Sequence, residues 1–205
     1  GKTVLARILA GRLAPTTGRC VRTGRVHYLP QQIGLPADGT VASLAGVQDA
    51  LDALARIEAG SIAQADFDAV GERWDLRQQL RQALERHGLG HLDASAPAQA
   101  LSGGEAMRVA LVGALLSAAD FLILDEPSNH LDRTHRQALI EQLRHWPRGL
   151  LVISHDRMLL EGMARIVELS PLGLRSYGGN HTFYARSKAQ ERQNAVAQLE
   201  QRQRS

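Results

Sequence analysis

Two short apolar runs, each followed at once by polar residues, constrain the fold of this chain most strongly. They span residues 121–124 and 149–153, and a helical pattern over residues 132–146 lies between them. Continuous apolar runs of this length are typical of parallel strands buried on both faces. Shorter strand patterns lie at residues 24–29, 165–169 and 173–177. From residue 121 onward, this β-α-β-α-β order predicts right-handed crossovers and helices packed on a largely parallel sheet.

Polar residues follow the two buried strands at the edge where open parallel sheets bind ligands. Asp125 and Glu126 follow the first run, and His155 follows the second. Solvation explains two adjacent acids at the end of a buried strand poorly, whereas a lone histidine is more often structural. If the strands are parallel, their carboxyl ends share one edge, so we expect the three side chains there.

A capped helix start with two glycines lies just after residue 101. Glu105 follows Ser102 at the spacing of a capping box, and Gly103 and Gly104 let a ligand approach the backbone. The free amides and positive dipole of a helix N-terminus suit an anion such as phosphate. These residues alone are equally compatible with an ordinary capped helix.

The chain opens on Gly1, Lys2 and Thr3, directly before a helical apolar pattern. In phosphate-binding loops, the amides and the lysine of such a triplet hold phosphates, and the threonine hydroxyl holds Mg²⁺. Taken alone, the triplet favours a plain helix start. The earlier glycines of such a loop and an initiator methionine are not in the sequence, so we expect a fragment cut at both ends.

Residues 39–100 have a purely helical texture, with apolar residues at helical spacing and no strand pattern. We expect an inserted helical subdomain between Gln31 and Ser102, with Phe67 and Trp74 in its core.

Composition excludes some classes of protein without indicating a partner. A hydrophobic content of 44%, a charged content of 22% and a net charge of +3 are ordinary for a globular chain. One cysteine, Cys20, excludes an internal disulfide, and no apolar run is long enough to span a bilayer.

A polar, helix-favouring segment from residue 182 is expected to leave the domain, or to be a solvated surface helix. Its basic residues are Arg186, Lys188, Arg192, Arg202 and Arg204.

Together the motifs resemble those of the ATP-binding cassette (ABC) ATPases. The matching segments are the end of the Walker A loop at residues 1–3, the Q-loop glutamine Gln31, the signature at residues 101–105, the Walker B strand and acid at residues 121–126, the D-loop at residues 128–132 and the switch histidine His155. Their order and spacing agree over residues 1–180. The joint match is far more specific than any single motif.

Within these ATPases the chain resembles the ABC-F proteins. Residues 126–132 read E-P-S-N-H-L-D beside the family's E-P-T-N-H-L-D, and residues 177–184 resemble its Y-x-G-N-Y-x-x-Y string. Ser128 for Thr and His181 for Tyr are mild departures. The incomplete Walker A loop implies that this chain alone does not bind ATP normally. Members of this family carry two cassettes joined by a helical linker, without a membrane domain, and characterised ones bind ribosomes near transfer RNA.

The resemblance implies a P-loop NTPase (RecA-like) α/β fold with an inserted all-helical ABC subdomain. It divides the chain into an N-terminal part of the ATP-binding core at 1–38, the helical subdomain at 39–100, the signature helix and rest of the core at 101–180, and the start of a basic interdomain linker helix at 181–205. We expect a cytoplasmic protein that is not inserted in a membrane. The exit helix suggests the first cassette of the parent polypeptide.

The implied reaction is hydrolysis of the ATP β–γ bond, with Mg²⁺ as cofactor and a second cassette closing over the nucleotide. The residues implied to bind ATP are Gly1, Lys2, Thr3, Ser102, Gly103, Gly104 and Asp132, with the signature residues acting in trans. The residues implied at the metal are Thr3, Gln31 and Asp125. The implied catalytic residues are Glu126, which orients or deprotonates water, His155, which senses the γ-phosphate, and Gln31.

Two other functions share the catalytic motifs. A nucleotide-binding subunit of a membrane transporter needs a coupling surface in the helical subdomain, and it does not explain the N-H-L-D string or the basic exit helix. A DNA-repair cassette ATPase of the structural-maintenance type needs hundreds of coiled-coil residues inside the cassette, whereas residues 32–101 number 70. The sequence therefore favours the ABC-F function over both.

Overall fold

The computed structural model describes residues 1–203, and side chains as far as residue 201. Its strands are β1 (Val26–Leu29), β2 (Phe121–Asp125), β3 (Gly149–Ile153), β4 (Arg165–Ser170) and β5 (Gly173–Gly178). Its helices are α1 (Lys2–Leu9), α2 (Val41–Leu44), α3 (Gln48–Glu58), α4 (Gln64–Val70), α5 (Leu76–Arg86), α6 (Gly103–Leu116), α7 (Arg133–Arg144), α8 (Arg157–Glu161) and α9 (His181–Gln203). A short 3₁₀ helix spans Ala98–Ala100.

A three-stranded parallel sheet in the order β1-β2-β3 forms the centre of the fold, which confirms the predicted α/β class. The two apolar runs are strands β2 and β3, as their composition predicts. Strand β1 begins two residues later than expected, at Val26. The reason lies in Gly24 and Arg25, since Gly24 has a φ of 132° and the Arg25 amide donates to the Asp120 carboxylate at 2.8 Å.

The β-α-β-α-β order of elements is as predicted, but the expectation that the strand at residue 165 joins the parallel sheet is wrong. Strand β4 does not join the parallel sheet but pairs antiparallel with β5 in a separate two-stranded sheet. Only Pro171 and Leu172 separate the two strands, and so short a connection makes a hairpin. The Leu172 amide donates to the Ser170 hydroxyl at 3.2 Å within this turn.

Helices cover both faces of the parallel sheet. On one face, Leu122 and Leu124 of β2 pack with α6, α7 and α8, whereas Ile123 packs on the other face with Ala6 of α1. This alternation is the ordinary period of a strand. Helix α6 is buried nearly all round, because its remaining sides pack into the core of the helical subdomain. The signature helix therefore joins the sheet to that subdomain.

Helices α2 to α5 form the inserted helical subdomain around a core that includes Leu54, Val70 and Leu76. Phe67 is only partly buried and Trp74 is 54% exposed, so the prediction that both lie in this core is wrong for Trp74. Trp74 lies in the loop between α4 and α5, where Val70 and Leu76 already fill the interior. The division of the whole chain into segments 1–38, 39–100, 101–180 and 181–205 stays a prediction.

Helix α9 is held at its base by α8. The Glu161 carboxylate of α8 accepts bonds from the Asn180 side chain at 2.7 Å and from the Thr182 amide at 2.9 Å. The Asn180 oxygen in turn accepts from the Phe183 amide at 3.1 Å, the bond expected of a helix cap. The Arg202 side chain and all of Arg204 lie outside the described residues. No helix within residues 1–203 has the length and hydropathy needed to cross a bilayer.

Candidate active site

The carboxyl edge of the parallel sheet carries the polar cluster that the sequence predicts there. Asp125 and Glu126 leave β2, His155 follows β3, and α1 presents its N-terminal residues beside them. A cavity of about 310 Å³ lies between these elements. Its lining residues are Gly1, Lys2, Thr3, Gln31, Asp125, Glu126, Asn129, Ile153 and His155. Every predicted metal-binding and catalytic residue lies at this one cavity, while their roles stay predictions.

His155 links the two oppositely charged groups of the cavity. Its Nε2 lies 3.1 Å from the Lys2 ammonium nitrogen and 3.6 Å from Glu126 Oε1. The Glu126 side chain is only 9% exposed, whereas that of His155 is 78% exposed. A neutral imidazole whose proton is on Nδ1 can accept from Lys2 through Nε2. The arrangement therefore places the Glu126 carboxylate, the Lys2 ammonium and the His155 imidazole around one cavity.

Glu126 has an unusual backbone conformation. Its φ of 51° is the only positive φ of a non-glycine residue among residues 1–203. The Glu126 amide donates to the Ile153 carbonyl at 2.8 Å, which extends the β2–β3 pairing by one bond and holds this conformation. A side chain kept in a costly backbone region is characteristic of functional sites. The geometry therefore supports a functional role for Glu126 independently of the motif.

Asp125 is a buried carboxylate that protein groups satisfy only in part. The residue is 1% exposed, Oδ2 accepts from the Tyr28 hydroxyl at 3.3 Å, and Oδ1 is buried without a partner among the described residues. A buried unpaired charge is costly, and hard carboxylate oxygens are the ligands that Mg²⁺ prefers. Thr3 and Gln31 line the same cavity. These residues fit a Mg²⁺ ion that keeps several waters.

Within residues 1–203, no group of three or more His, Cys, Asp and Glu side chains could hold a metal ion. Mg²⁺ is usually bound by one or two carboxylates together with waters and substrate phosphates. The predicted metal set also contains a single carboxylate, that of Asp125.

Sequence reasoning missed Tyr28, which lies on β1 beside Asp125. Burial of the phenol and the neighbouring Asp125 charge both raise the pKa of Tyr28. Tyr28 also lines an adjoining cavity of about 600 Å³ that contains Arg7 and Arg12 and shares Thr3 and Gln31 with the first cavity. The signal that could have revealed Tyr28 was its position three residues before Gln31, on a strand that leads to the same sheet edge.

The predicted capping box at the start of α6 is confirmed. The Ser102 hydroxyl accepts from the Glu105 amide at 3.3 Å, and the Glu105 carboxylate accepts from the Ser102 amide at 2.9 Å. Ser102, Gly103 and Gly104 are not part of the cavity lining, and neither is Asp132. Asp132 instead caps α7, accepting from the His135 amide at 2.9 Å. The structure thus leaves these four residues outside the cavity that the predicted catalytic residues line.

Replacing Glu105 with Gln is expected to lower the free energy of unfolding by about 0.3–1 kcal/mol at pH 7, the usual contribution of a negative charge in the first turn of a helix. Hydrogen bonds from the Ser102 amide, from the Ser102 hydroxyl and from His91 lower the pKa of Glu105 to about 2. A lowered carboxyl pKa contributes stability above the ordinary value of 4.5, and this contribution is lost as the pH falls towards 2.

Urea unfolding at pH 7 and pH 3 measures this contribution. The difference between the wild type and Glu105→Gln should be smaller at pH 3. The control is Glu72→Gln at an exposed acid, which should change neither midpoint. A difference of equal size at both pH values would contradict the assigned role of the Glu105 charge.

Residues 1–129 match the protein family described as ABC transporter. Over 210 residues the chain is 36% identical to the energy-dependent translational throttle protein EttA of Mycobacterium tuberculosis, with 93% of this chain and 37% of that protein aligned. It is 31% identical to the tylosin resistance ATP-binding protein TlrC of Streptomyces fradiae, over 98% of this chain and 41% of that protein. The chain therefore spans well under half the length of these relatives.

A solved structure of similar fold is the archaeal ribosome recycling factor aABCE1 in complex with an archaeal ribosomal stalk protein. Its TM-score to this chain is 0.64 at 30% sequence identity, and the alignment covers 93% of this chain and 34% of that one. This likeness confirms the P-loop NTPase fold with an inserted helical subdomain.

Proposed function

The chain belongs to the ABC transporter family of ATP-binding domains, and on that premise we propose that it is one cassette of a ribosome-associated ABC-F ATPase. It binds and hydrolyses ATP together with a second cassette, in the cytoplasm. One observation carries this proposal. Lys2, Glu126 and His155 lie in contact at one cavity, beside the buried carboxylate of Asp125.

ATP binds with its terminal phosphates in the smaller cavity. Lys2 moves its ammonium from His155 to the β- and γ-phosphate oxygens and neutralises their charge. Thr3, Gln31 and Asp125 would hold Mg²⁺, which when bound supplies charge neutralisation across the β- and γ-phosphates. These residues act mainly by positioning and electrostatic stabilisation, which account for most of the catalysis of phosphoryl transfer.

Glu126 orients the attacking water and accepts its proton. Water oxygen bonds to the γ-phosphorus, the bond from that phosphorus to the β–γ bridging oxygen breaks, and ADP and phosphate leave. His155, freed from Lys2, contacts the γ-phosphate and stays close to the Glu126 carboxylate. A phosphate in the cavity therefore replaces the Lys2–His155 contact and changes the surroundings of the loop between β3 and α8.

The signature residues Ser102, Gly103 and Gly104 complete the site of a second cassette. They lie at an exposed helix N-terminus outside the cavity of their own chain, where free amides can meet an anion. Asp132 is proposed to take part in the same contact from the D-loop. ATP held between two cassettes joins them, and hydrolysis releases them.

The ribosome is proposed as the partner because the names of the relatives refer to translation and ribosome recycling. Helix α9 contributes to that contact as the start of the interdomain linker helix, through the exposed Arg186 and Arg192, whereas its Lys188 pairs with Glu168 at 2.9 Å. The alternative, a nucleotide-binding subunit of a membrane transporter, uses the same catalytic residues. It has less support from those names.

Ribosome co-sedimentation tests the proposal in the natural protein that contains this chain. With Glu126→Gln and ATP, we expect the protein to pellet with ribosomes, and with ADP we expect it to stay in the supernatant. The matched control is Glu141→Gln, at an acid of α7 whose side chain is 58% exposed, and it should release the ribosome as the wild type does. ATP binding without sedimentation would overturn the ribosomal part, and a failure to bind ATP would overturn the whole proposal.

A further inference from the structure

The Tyr28 hydroxyl makes a hydrogen bond for which the implied set of site residues has no role. It donates to Asp125 Oδ2 at 3.3 Å across the β1–β2 pair. We infer that Tyr28 is a positioning residue, which holds one oxygen of the Asp125 carboxylate and leaves the other oxygen for a water bound to Mg²⁺. This inference rests on the proposed function and adds a residue to it.

The surroundings of Asp125 make this single bond important. Among the described residues, the Tyr28 hydroxyl is the only group that makes a hydrogen bond to the Asp125 carboxylate, and no cation forms an ion pair with it. A tyrosine hydroxyl has one proton to donate, so it satisfies one carboxylate oxygen and leaves Oδ1 open. The terminal torsion of aspartate is soft, and the bond therefore decides how the carboxylate is turned.

Tyr28 is also placed to connect the two cavities. It lines the larger cavity with Thr3 and Gln31, and Asp125 lines the smaller cavity with the same two residues. The hydrogen bond thus joins a side chain that lines one cavity to a side chain that lines the other. The donor lies on β1, which pairs directly with β2, so the β1–β2 register sets where the Tyr28 hydroxyl lies relative to Asp125.

Partners that orient a metal ligand typically change metal affinity by about 10- to 100-fold when they are removed. The Tyr28–Asp125 bond is long at 3.3 Å, and Asp125 would reach Mg²⁺ only through a water. We therefore expect Tyr28→Phe to raise the Mg²⁺ concentration at the midpoint of nucleotide binding by about 3- to 10-fold, below the usual range.

The experiment measures binding of a fluorescent ATP analogue to the natural protein over a series of Mg²⁺ concentrations. Tyr28→Phe should shift the Mg²⁺ midpoint and leave binding in EDTA unchanged. The matched control is Tyr184→Phe, which removes a hydroxyl bonded to the Glu168 carboxylate at 3.3 Å and lines neither of the two cavities that hold Tyr28 and Asp125. In an Asp125→Asn background, Tyr28→Phe should cause no further shift.

Each outcome decides the question. An unchanged midpoint, or an equal loss of binding with and without Mg²⁺, overturns the positioning role while the proposed function stands. A wild type that binds no nucleotide overturns both. If Tyr28→Phe does not fold, wild-type protein labelled with 3-fluorotyrosine replaces it. On addition of Mg²⁺ to the ATP-bound protein, the Tyr28 fluorine signal should shift more than that of Tyr184, and equal shifts overturn the inference.

Discussion

The Glu126→Gln variant is expected to hydrolyse ATP about 10²- to 10⁴-fold more slowly than the wild type, the usual contribution of a positioned general base. The amide has the shape of the carboxylate, so the backbone conformation at residue 126 and the bond to Ile153 persist. It cannot accept a proton from water at neutral pH. Lys2 and His155 remain at the cavity, and ATP should still bind with an affinity close to that of the wild type.

Phosphate release by the natural protein measures the rate, and retention of a fluorescent ATP analogue measures binding. Glu141→Gln serves again as the control, because it makes the same chemical change on exposed α7. Hydrolysis at the wild-type rate by Glu126→Gln would show that the base lies elsewhere. Loss of binding together with hydrolysis would indicate a structural role for Glu126 instead.

The Gly113→Ala variant is expected to lose about 2–3 kcal/mol of unfolding free energy, towards the upper end of the range for overpacking. Gly113 lies where α6 crosses α2. A Cβ atom at this position would lie 2.6 Å from the carbonyl carbon of Ala45 and 2.7 Å from its Cα. These are backbone atoms that no rotamer change can move, so the two helices must separate. The cost therefore exceeds the gain in helix propensity from glycine to alanine.

Gly104→Ala in the first turn of the same helix is the matched control. No atom outside its local backbone lies within 4 Å of the added Cβ, so its stability should stay the same or rise slightly. Urea unfolding followed by circular dichroism compares the two variants. Equal stability of Gly113→Ala and the wild type would mean that α2 and α6 pack less closely than the structure shows.

The parts of the fold that the sequence predicts well are those determined by local pattern. Strands β2 and β3 are continuous apolar runs, and the box at Ser102 and Glu105 depends only on residue spacing. The common location of Asp125, Glu126 and His155 follows from parallel strands, which end at one edge of a sheet. Once the strands are correct, the position of the site follows from chain direction alone.

The parts that the sequence does not predict depend on contacts between residues that are far apart in the chain. Residues 165–170 have a strand pattern, but which strand they pair with depends on the hairpin turn after them. Trp74 is apolar and at helical spacing, yet its position in a loop leaves it half exposed because smaller neighbours already fill the core. Tyr28 reads as a strand residue, and only the β1–β2 register brings its hydroxyl to Asp125.

Helix α9 is fixed at its first turn and is long, so a small rotation there moves its far end by a larger distance. Helix α8 begins two residues after His155 and bonds through Glu161 to the first turn of α9. The two helices are therefore joined directly at this point. Helix α9 has 23 residues and therefore extends for about 35 Å. A rotation of α9 by about 5° at its first turn moves its far end by about 3 Å. A rotation of a few degrees at the first turn of α9 thus becomes a displacement of atomic size at the far end of the helix.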